Sequence, residues 1–371
     1  MATASLVTPA AAPAQAQSPL SVDADAAFEI FEIPNGRKVH GNSFPLGIRV
    51  KEGSSFEDID SAVRSIETLT DRGTFNSLLS RHGAILFRGF PIKKADDLAK
   101  FTKAFKFPQP HQEVGLSGKR TAVGDNVKTA NEEPPNVKFY YHNEYGRSAH
   151  FPGIVFFYSQ QVPEQGGQTP VLSTIELYDR LIEEVPEFVA ALIEKGIIGR
   201  QYYPAKEDPE AKSIGWNWQD SYGFDIAPGD SLEVQRKKVE HVLETRLQAD
   251  AEWQPNGALH VLQRLPAVRR VASTGQVVPF NGLGGVYGRQ RDRKALVPPH
   301  RGTDGGYHLP TTYGDGSEIP IEYLETLLRV SDEIGFLVPW EEGDVALVDN
   351  HTVQRSLLVS LWDGHEKFVS V

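Results

Sequence analysis

The chain has 371 residues, with 38 basic against 49 acidic side chains and a formal net charge of −11. That balance disfavours nucleic acid or an anionic membrane surface as the main partner. With 0 cysteines, disulfides, thiolate zinc sites, iron–sulfur clusters and cysteine nucleophiles are excluded together, so any metal must be held by His, Asp or Glu. No uninterrupted apolar run approaches the roughly 18 residues that a membrane span needs.

The first 22 residues are rich in Ala, Pro, Ser and Gln, and the first basic residue is Arg37. A secretory leader needs a basic start and a transit peptide needs arginines. Residues 1–24 therefore read as a disordered tail, 25–371 as one domain, and the location as cytoplasmic. Strands are predicted at Phe44–Val50 and Ala84–Phe90. Helices are predicted at Ser55–Asp71, where Ile59, Val63, Ile66 and Leu69 share a side, at Thr74–Arg81, and at Ala95–Phe105. Ile154–Tyr158 is a strand. Ser173-Thr174-Ile175-Glu176 reads as a capping box opening a helix that runs towards Ile193 and breaks near Pro186. A further helix spans Asp230–Leu247. Val268–Phe280 reads as a hairpin turning at Ser273-Thr274-Gly275, and a helix runs from Pro320 through Leu328. Val345–Asp349 and Leu357–Leu361 close the chain as strands. Asn281-Gly282-Leu283-Gly284-Gly285 has no phosphate-loop context and reads as a plain loop. Short strands interleaved with helices predict an α+β protein, a double-stranded β-helix (jelly-roll) with helical insertions.

The chemistry centres on His142-Asn143-Glu144. Residues two apart on an extended strand leave the same face, so an imidazole and a carboxylate can converge on one ion. Together with a second imidazole they would form the facial triad of non-haem Fe(II) oxygenases. Downstream, Gly166-Gly167 makes a turn and Thr169 offers a hydroxyl to a carboxylate. Arg355 stands before an apolar run; directed inward it would need a carboxylate partner. Tyr141, Tyr145 and Phe151 read either as pocket lining or as core. His40, His82, His111, His150, His241, His260, His300 and His308 show no paired spacing. A zinc hydrolase needs three protein ligands and a base, and no second His/Asp/Glu cluster supplies them.

Taken in order, His82–Phe90, His142–Glu144, Pro152-Gly153, Glu164–Pro170, Leu265–Arg270, Gly314–Ser317 and Trp340–Asn350 resemble the taurine dioxygenase / clavaminate synthase-like family of Fe(II)- and 2-oxoglutarate-dependent oxygenases. The resemblance implies that His142 and Glu144 are iron ligands and that Thr169 holds a carboxylate of the cosubstrate 2-oxoglutarate. It also implies that Arg355 pairs with the cosubstrate's far carboxylate. O2 and a small-molecule substrate, such as a specialised metabolite, would complete the reaction at an unactivated C–H bond.

One departure is visible. The family places its distal histidine five residues after the Asn of Asp-Asn, and here that position, read without a gap, is Arg355. With a gap after Gln354, Arg355 falls on the cosubstrate arginine and the histidine is missing. His351 lies four residues early, about 13 Å along a strand, too far for a metal bond of about 2 Å. Two readings follow: an active dioxygenase, or an inactive paralogue or truncated product that lacks the distal ligand.

Overall fold

In the computed structural model the described residues are 27–115, 121–129, 137–164, 166–355 and 360–371; the predicted tail lies outside them. Six strands form the major sheet, in the order Phe28–Phe31, Leu46–Val50, Ala84–Arg88, Val345–Asp349, Ile154–Tyr158, Ser360–Trp362. All neighbours are antiparallel except Leu46–Val50 beside Ala84–Arg88, which run parallel because two helices intervene between them. A minor sheet holds Phe336–Val338, Thr169–Ser173 and Val353–Arg355, all antiparallel.

The central strands are apolar except for Arg88 and Asp349 at their ends, because both of their faces are covered. Ile85, Phe87, Ile154, Phe156, Val345 and Leu347 face a core roofed by the helices Ile59–Asp71, Thr74–His82 and Ala95–Lys103. Phe87 there meets the rings of Phe75, Phe101 and Phe105 at 5.4–5.7 Å. The alternate residues Ala84, Leu86, Val155, Phe157, Ala346 and Val348 pack against Val171, Phe336, Val338 and Val353 of the minor sheet. A third core, holding Leu172, Leu177, Leu181, Leu327 and Leu328, backs the minor sheet with the helices Thr174–Glu184 and Ile321–Ile334. The structure is thus α+β, with two sheets face to face and helices outside both.

Several boundaries moved for local reasons. The first helix starts at Ile59 because Asp58 caps it, accepting from the Ser61 amide in a capping box. Ser173 caps its helix by accepting from the Glu176 amide, but the Glu176 carboxylate pairs with Arg37 instead of completing the box. Pro186 opens a second helix, Pro186–Lys195, as its first residue. The helix after Pro320 extends to Ile334. The segment predicted to run Asp230–Leu247 is a helix Leu232–Val242 ending in a wider π-type turn, Leu243–Leu247. The glycine-rich loop reading is corrected: only Asn281 and Gly282 stay outside a helix Leu283–Asp292, Gly282 as its cap. A four-stranded sheet, Ala249–Trp253, Leu259–Leu265, Ile197–Tyr203 and Thr312–Tyr313, was not foreseen. At the far end, Arg355 closes the minor-sheet strand instead of heading the next one. Ser360–Trp362 belongs to the major sheet, and much of the predicted strand Leu357–Leu361 lies outside the described residues.

Candidate active site

The tract Tyr140–Glu144 is stitched to the segment Asn350–Arg355 by backbone and amide bonds. The Arg355 amide donates to the His142 carbonyl at 3.0 Å, and the His142 amide returns to the Arg355 carbonyl at 3.3 Å. Asn143 donates to the carbonyls of Asn350 (2.7 Å) and Val353 (3.2 Å), and its own oxygen accepts from Gln354 at 3.1 Å. Asn350 accepts from the Glu144 amide at 2.7 Å and donates to the carbonyls of Glu144 (3.0 Å) and Pro152 (2.7 Å). Both asparagines are buried, so these bonds replace water for groups that cannot reach it. They explain why the tract holds an extended shape without belonging to a full strand.

On this frame His142 and Glu144 do come together, with Nε2 and Oε2 3.8 Å apart. His142 Nδ1 bonds to the Tyr140 carbonyl at 2.8 Å. A carbonyl only accepts, so Nδ1 carries the proton and Nε2 presents a lone pair towards the carboxylate. Phe139 supports the ring edge-on at 5.1 Å. Thr169 lies two residues from Val171, the cross-strand partner of Arg355, so it shares the face between the sheets. Its hydroxyl oxygen accepts from Trp340 Nε1 at 2.7 Å, which leaves the hydroxyl proton to donate.

The third corner is occupied by Arg355. It is 2% exposed, its guanidinium lies 4.8 Å over the Phe157 ring, and its Nη2 is hydrogen-bonded and ion-paired to Glu144 Oε2. Directly bridged residues on antiparallel segments project their side chains to the same side. Arg355 therefore stands opposite His142. His351 does not enter the site. It sits in the turn after Val345–Asp349, Nδ1 held by Asp349 at 2.8 Å and its ring packed on Phe151 (5.9 Å) and Phe368 (4.9 Å). Among the described residues no group of three or more His, Asp or Glu side chains could hold a metal ion. A guanidinium has five N–H donors and no lone pair for a metal. The donor set is one imidazole and one carboxylate already matched to a cation, which does not fit a self-sufficient iron centre.

The sequence reading missed two residues near this tract. His111 stacks on His150 at 4.3 Å and lies 5.8 Å from the Tyr145 ring, with Nδ1 on Asp363 at 2.8 Å. Burial pushes the His111 imidazole below its ordinary pKa; the bond to Asp363 opposes this, and Glu144 adds a weaker opposing pull. Sequence distances of 39 and 252 residues leave no local pattern to find. Tyr145 and Tyr141 pack at the margins of the cores, and Phe151 joins a ring cluster with Phe280 and Phe368. Tyr141 also lines a small cavity with Tyr140, Leu177 and Asn281, so the lining and the core readings both apply to it.

Two facing sheets thus bring an imidazole and a glutamate together between them. Residues 53–354 match the family described as taurine catabolism dioxygenase TauD, TfdA, and the chain belongs to it. It is an enzyme family of 2-oxoglutarate-dependent dioxygenases that work with a metal ion. The match ends one residue before Arg355. A clavaminate synthase-like protein of Arabidopsis thaliana is 33% identical over 88% of this chain and 94% of its own length. The dapdiamide synthesis protein DdaC of Enterobacter agglomerans is 26% identical over 78% and 82%. A solved taurine dioxygenase from Burkholderia xenovorans superposes with a TM-score of 0.44 at 14% identity, covering 90% of this chain and 84% of its own.

Proposed function

We propose that this chain carries a single jelly-roll dioxygenase domain built for Fe(II)- and 2-oxoglutarate-dependent oxidation of an unactivated C–H bond in a small molecule. A specialised metabolite is one such substrate. His142 and Glu144 are the protein ligands of that reading, and Thr169 is the donor to a carboxylate of 2-oxoglutarate. The observation that carries it is the 3.8 Å approach of His142 Nε2 to Glu144 Oε2, with the histidine tautomer already fixed. The test is anaerobic addition of Fe(II) and 2-oxoglutarate followed by O2, reading succinate. Succinate above the level seen with a His142→Ala variant supports the reading, and its absence with metal demonstrably bound defeats it.

A second reading is favoured by the Arg355–Glu144 ion pair. In it the chain keeps the family fold but not turnover, because an arginine stands where the third ligand belongs and neutralises the second. The expected role of Arg355, pairing with the far carboxylate of 2-oxoglutarate, requires the guanidinium to leave Glu144. Fe(II) titration separates the two readings: tight stoichiometric binding supports the active form, and weak binding supports the silent one.

A further inference from the structure

Beyond the strand Ser360–Trp362 the chain doubles back. Asp363 is fixed by Gln109 at 2.7 Å and by His111 at 2.8 Å. The last residues then return as a short strand, Phe368–Val369, on the edge of a three-stranded sheet, paired as Arg270 with Val369 and Val271 with Phe368. The Ala272 amide donates to the Lys367 carbonyl at 2.8 Å, and the Ser273 amide to the Glu366 carboxylate at 3.2 Å. His365 adds a ring contact with Phe107 at 6.0 Å, while Val369 and Val371 stay exposed.

The hold on this segment centres on Phe368. Its ring meets Phe280 at 5.0 Å, Phe151 at 5.8 Å and His351 at 4.9 Å. Against the same phenylalanines lies Arg269, 8% exposed, its guanidinium 4.8 Å from the Phe280 ring centre, 5.2 Å from Phe368 and 5.3 Å from Phe151. Nε donates to the Pro266 carbonyl at 3.3 Å. Among the described residues Nη2 has no hydrogen-bond partner and no carboxylate pairs with the cation. Burial pulls its pKa down to about 10. Ring faces attract a cation, yet taking an unpaired charge out of water opposes them. Docking of Phe368 therefore sets aromatic burial against desolvation of Arg269, and undocking returns water to the guanidinium.

Docking also reaches the candidate site. A Cβ at Gly153 would fall 2.5 Å from the Gly364 nitrogen and 3.1 Å from His351 Cε1, so the segment crosses Gly153 backbone to backbone, beside the His351 ring. The Gly153 carbonyl accepts from the Asn350 amide at 3.0 Å, and Asn350 holds the Glu144 amide and carbonyl.

We propose that residues 364–371 form a strap that docks and undocks while the rest of the domain stays folded, and that docking holds the Asn350 turn and, through it, Glu144. Phe368 is the latch, and the buried charge of Arg269 keeps that latch weak. The strap acts in the same way whether the site turns over or is silent.

The test is amide hydrogen exchange of the full chain, read by mass spectrometry with no metal or cosubstrate added. Expected is exchange of 364–371 through a local opening, at a rate insensitive to urea concentrations that leave Ile154–Tyr158 protected. Phe368→Ala should speed exchange in 364–371, 349–353 and 141–146 by about tenfold or more, with Ile154–Tyr158 unchanged. Arg269→Met keeps a stem among the rings without the charge, and should slow exchange in 364–371 by about tenfold. A frayed end would not carry the change to 349–353. The proposal is overturned if 364–371 exchanges only together with Ile154–Tyr158, or if Arg269→Met exchanges there as fast as the parent or faster. It is equally overturned if Phe368→Ala leaves 349–353 and 141–146 at parent rates, or strips protection from Ile154–Tyr158.

Discussion

Replacing Arg355 tests the reasoning about the third corner most directly. Arg355→Met keeps the stem over Phe157 but deletes the charge that meets Glu144, a carboxylate only 4% exposed. Removing one partner of a buried ion pair costs about 3–5 kcal/mol, because the other charge is stranded. Adding Glu144→Gln should return most of that loss, since the stranded charge goes too. Arg355→His has a different outcome. The backbone of position 355 bridges His142 on both sides, so an imidazole there projects beside that of His142 and completes two nitrogens and a carboxylate. Co(II) as a spectroscopic stand-in for Fe(II) should then bind Arg355→His and raise its stability by about 2.7 kcal/mol at a metal concentration one hundred times Kd. The parent chain should gain far less. Urea unfolding with and without Co(II), read beside the visible absorption of the metal, measures all four proteins. The reasoning fails if Arg355→Met unfolds within about 1 kcal/mol of the parent, below the range for a stranded buried charge, or if the parent binds Co(II) as tightly as Arg355→His.

The other expectations are simpler. Asn350→Ala should cost about 2–4 kcal/mol in urea unfolding, because the Glu144 amide and two carbonyls lose their partner inside the protein; a loss under about 1 kcal/mol refutes the stitching role. Gly153→Ala should destabilise by about 1–3 kcal/mol, since its Cβ would fall 2.5 Å from the Gly364 backbone nitrogen, which cannot swing aside; an unchanged melting temperature counts against the placement of the C-terminal strand. His111 is held neutral by burial, so the unfolded chain takes up a proton that the folded one refuses. That contribution is intact above the unfolded imidazole pKa of about 6.5 and is lost as pH falls through it. His111→Gln should therefore flatten the decline in stability between about pH 7.5 and 5.5, and parallel curves for the two proteins would refute this.

What could be read from the sequence was what local chemistry encodes. Ile154–Tyr158 and Val345–Val348 are apolar runs, and the strands Ile154–Tyr158 and Val345–Asp349 appear at the predicted bounds. Pro320 marked a helix start and Pro186 a helix break, because the missing N–H of proline is harmless only at the start of a helix; the break proved to be the first residue of a second helix. The approach of His142 to Glu144 followed from a two-residue spacing. Features set by distant segments were hidden. Arg355 looked like the head of an apolar strand because Leu357 and Leu358 follow it, whereas its place is fixed by pairing with His142 and Val171, far back in the chain. The glycines at 282, 284 and 285 suggested a loop, yet Gly282 and Gly284 stand where Arg147 and Tyr141 approach a helix closely. The stack of His111 on His150 has no sequence signature at all.

The order of strands in the major sheet has a consequence for how the protein is made. Val345–Asp349 lies between Ala84–Arg88 and Ile154–Tyr158 and is hydrogen-bonded to both. Until that late stretch leaves the ribosome, two strongly apolar strands have finished synthesis with their matching edges open. Long-range pairing of this kind is slow and leaves sticky edges exposed meanwhile. The nascent chain is therefore a natural client for holding chaperones, and truncations ahead of Val345 should aggregate rather than yield a smaller folded unit.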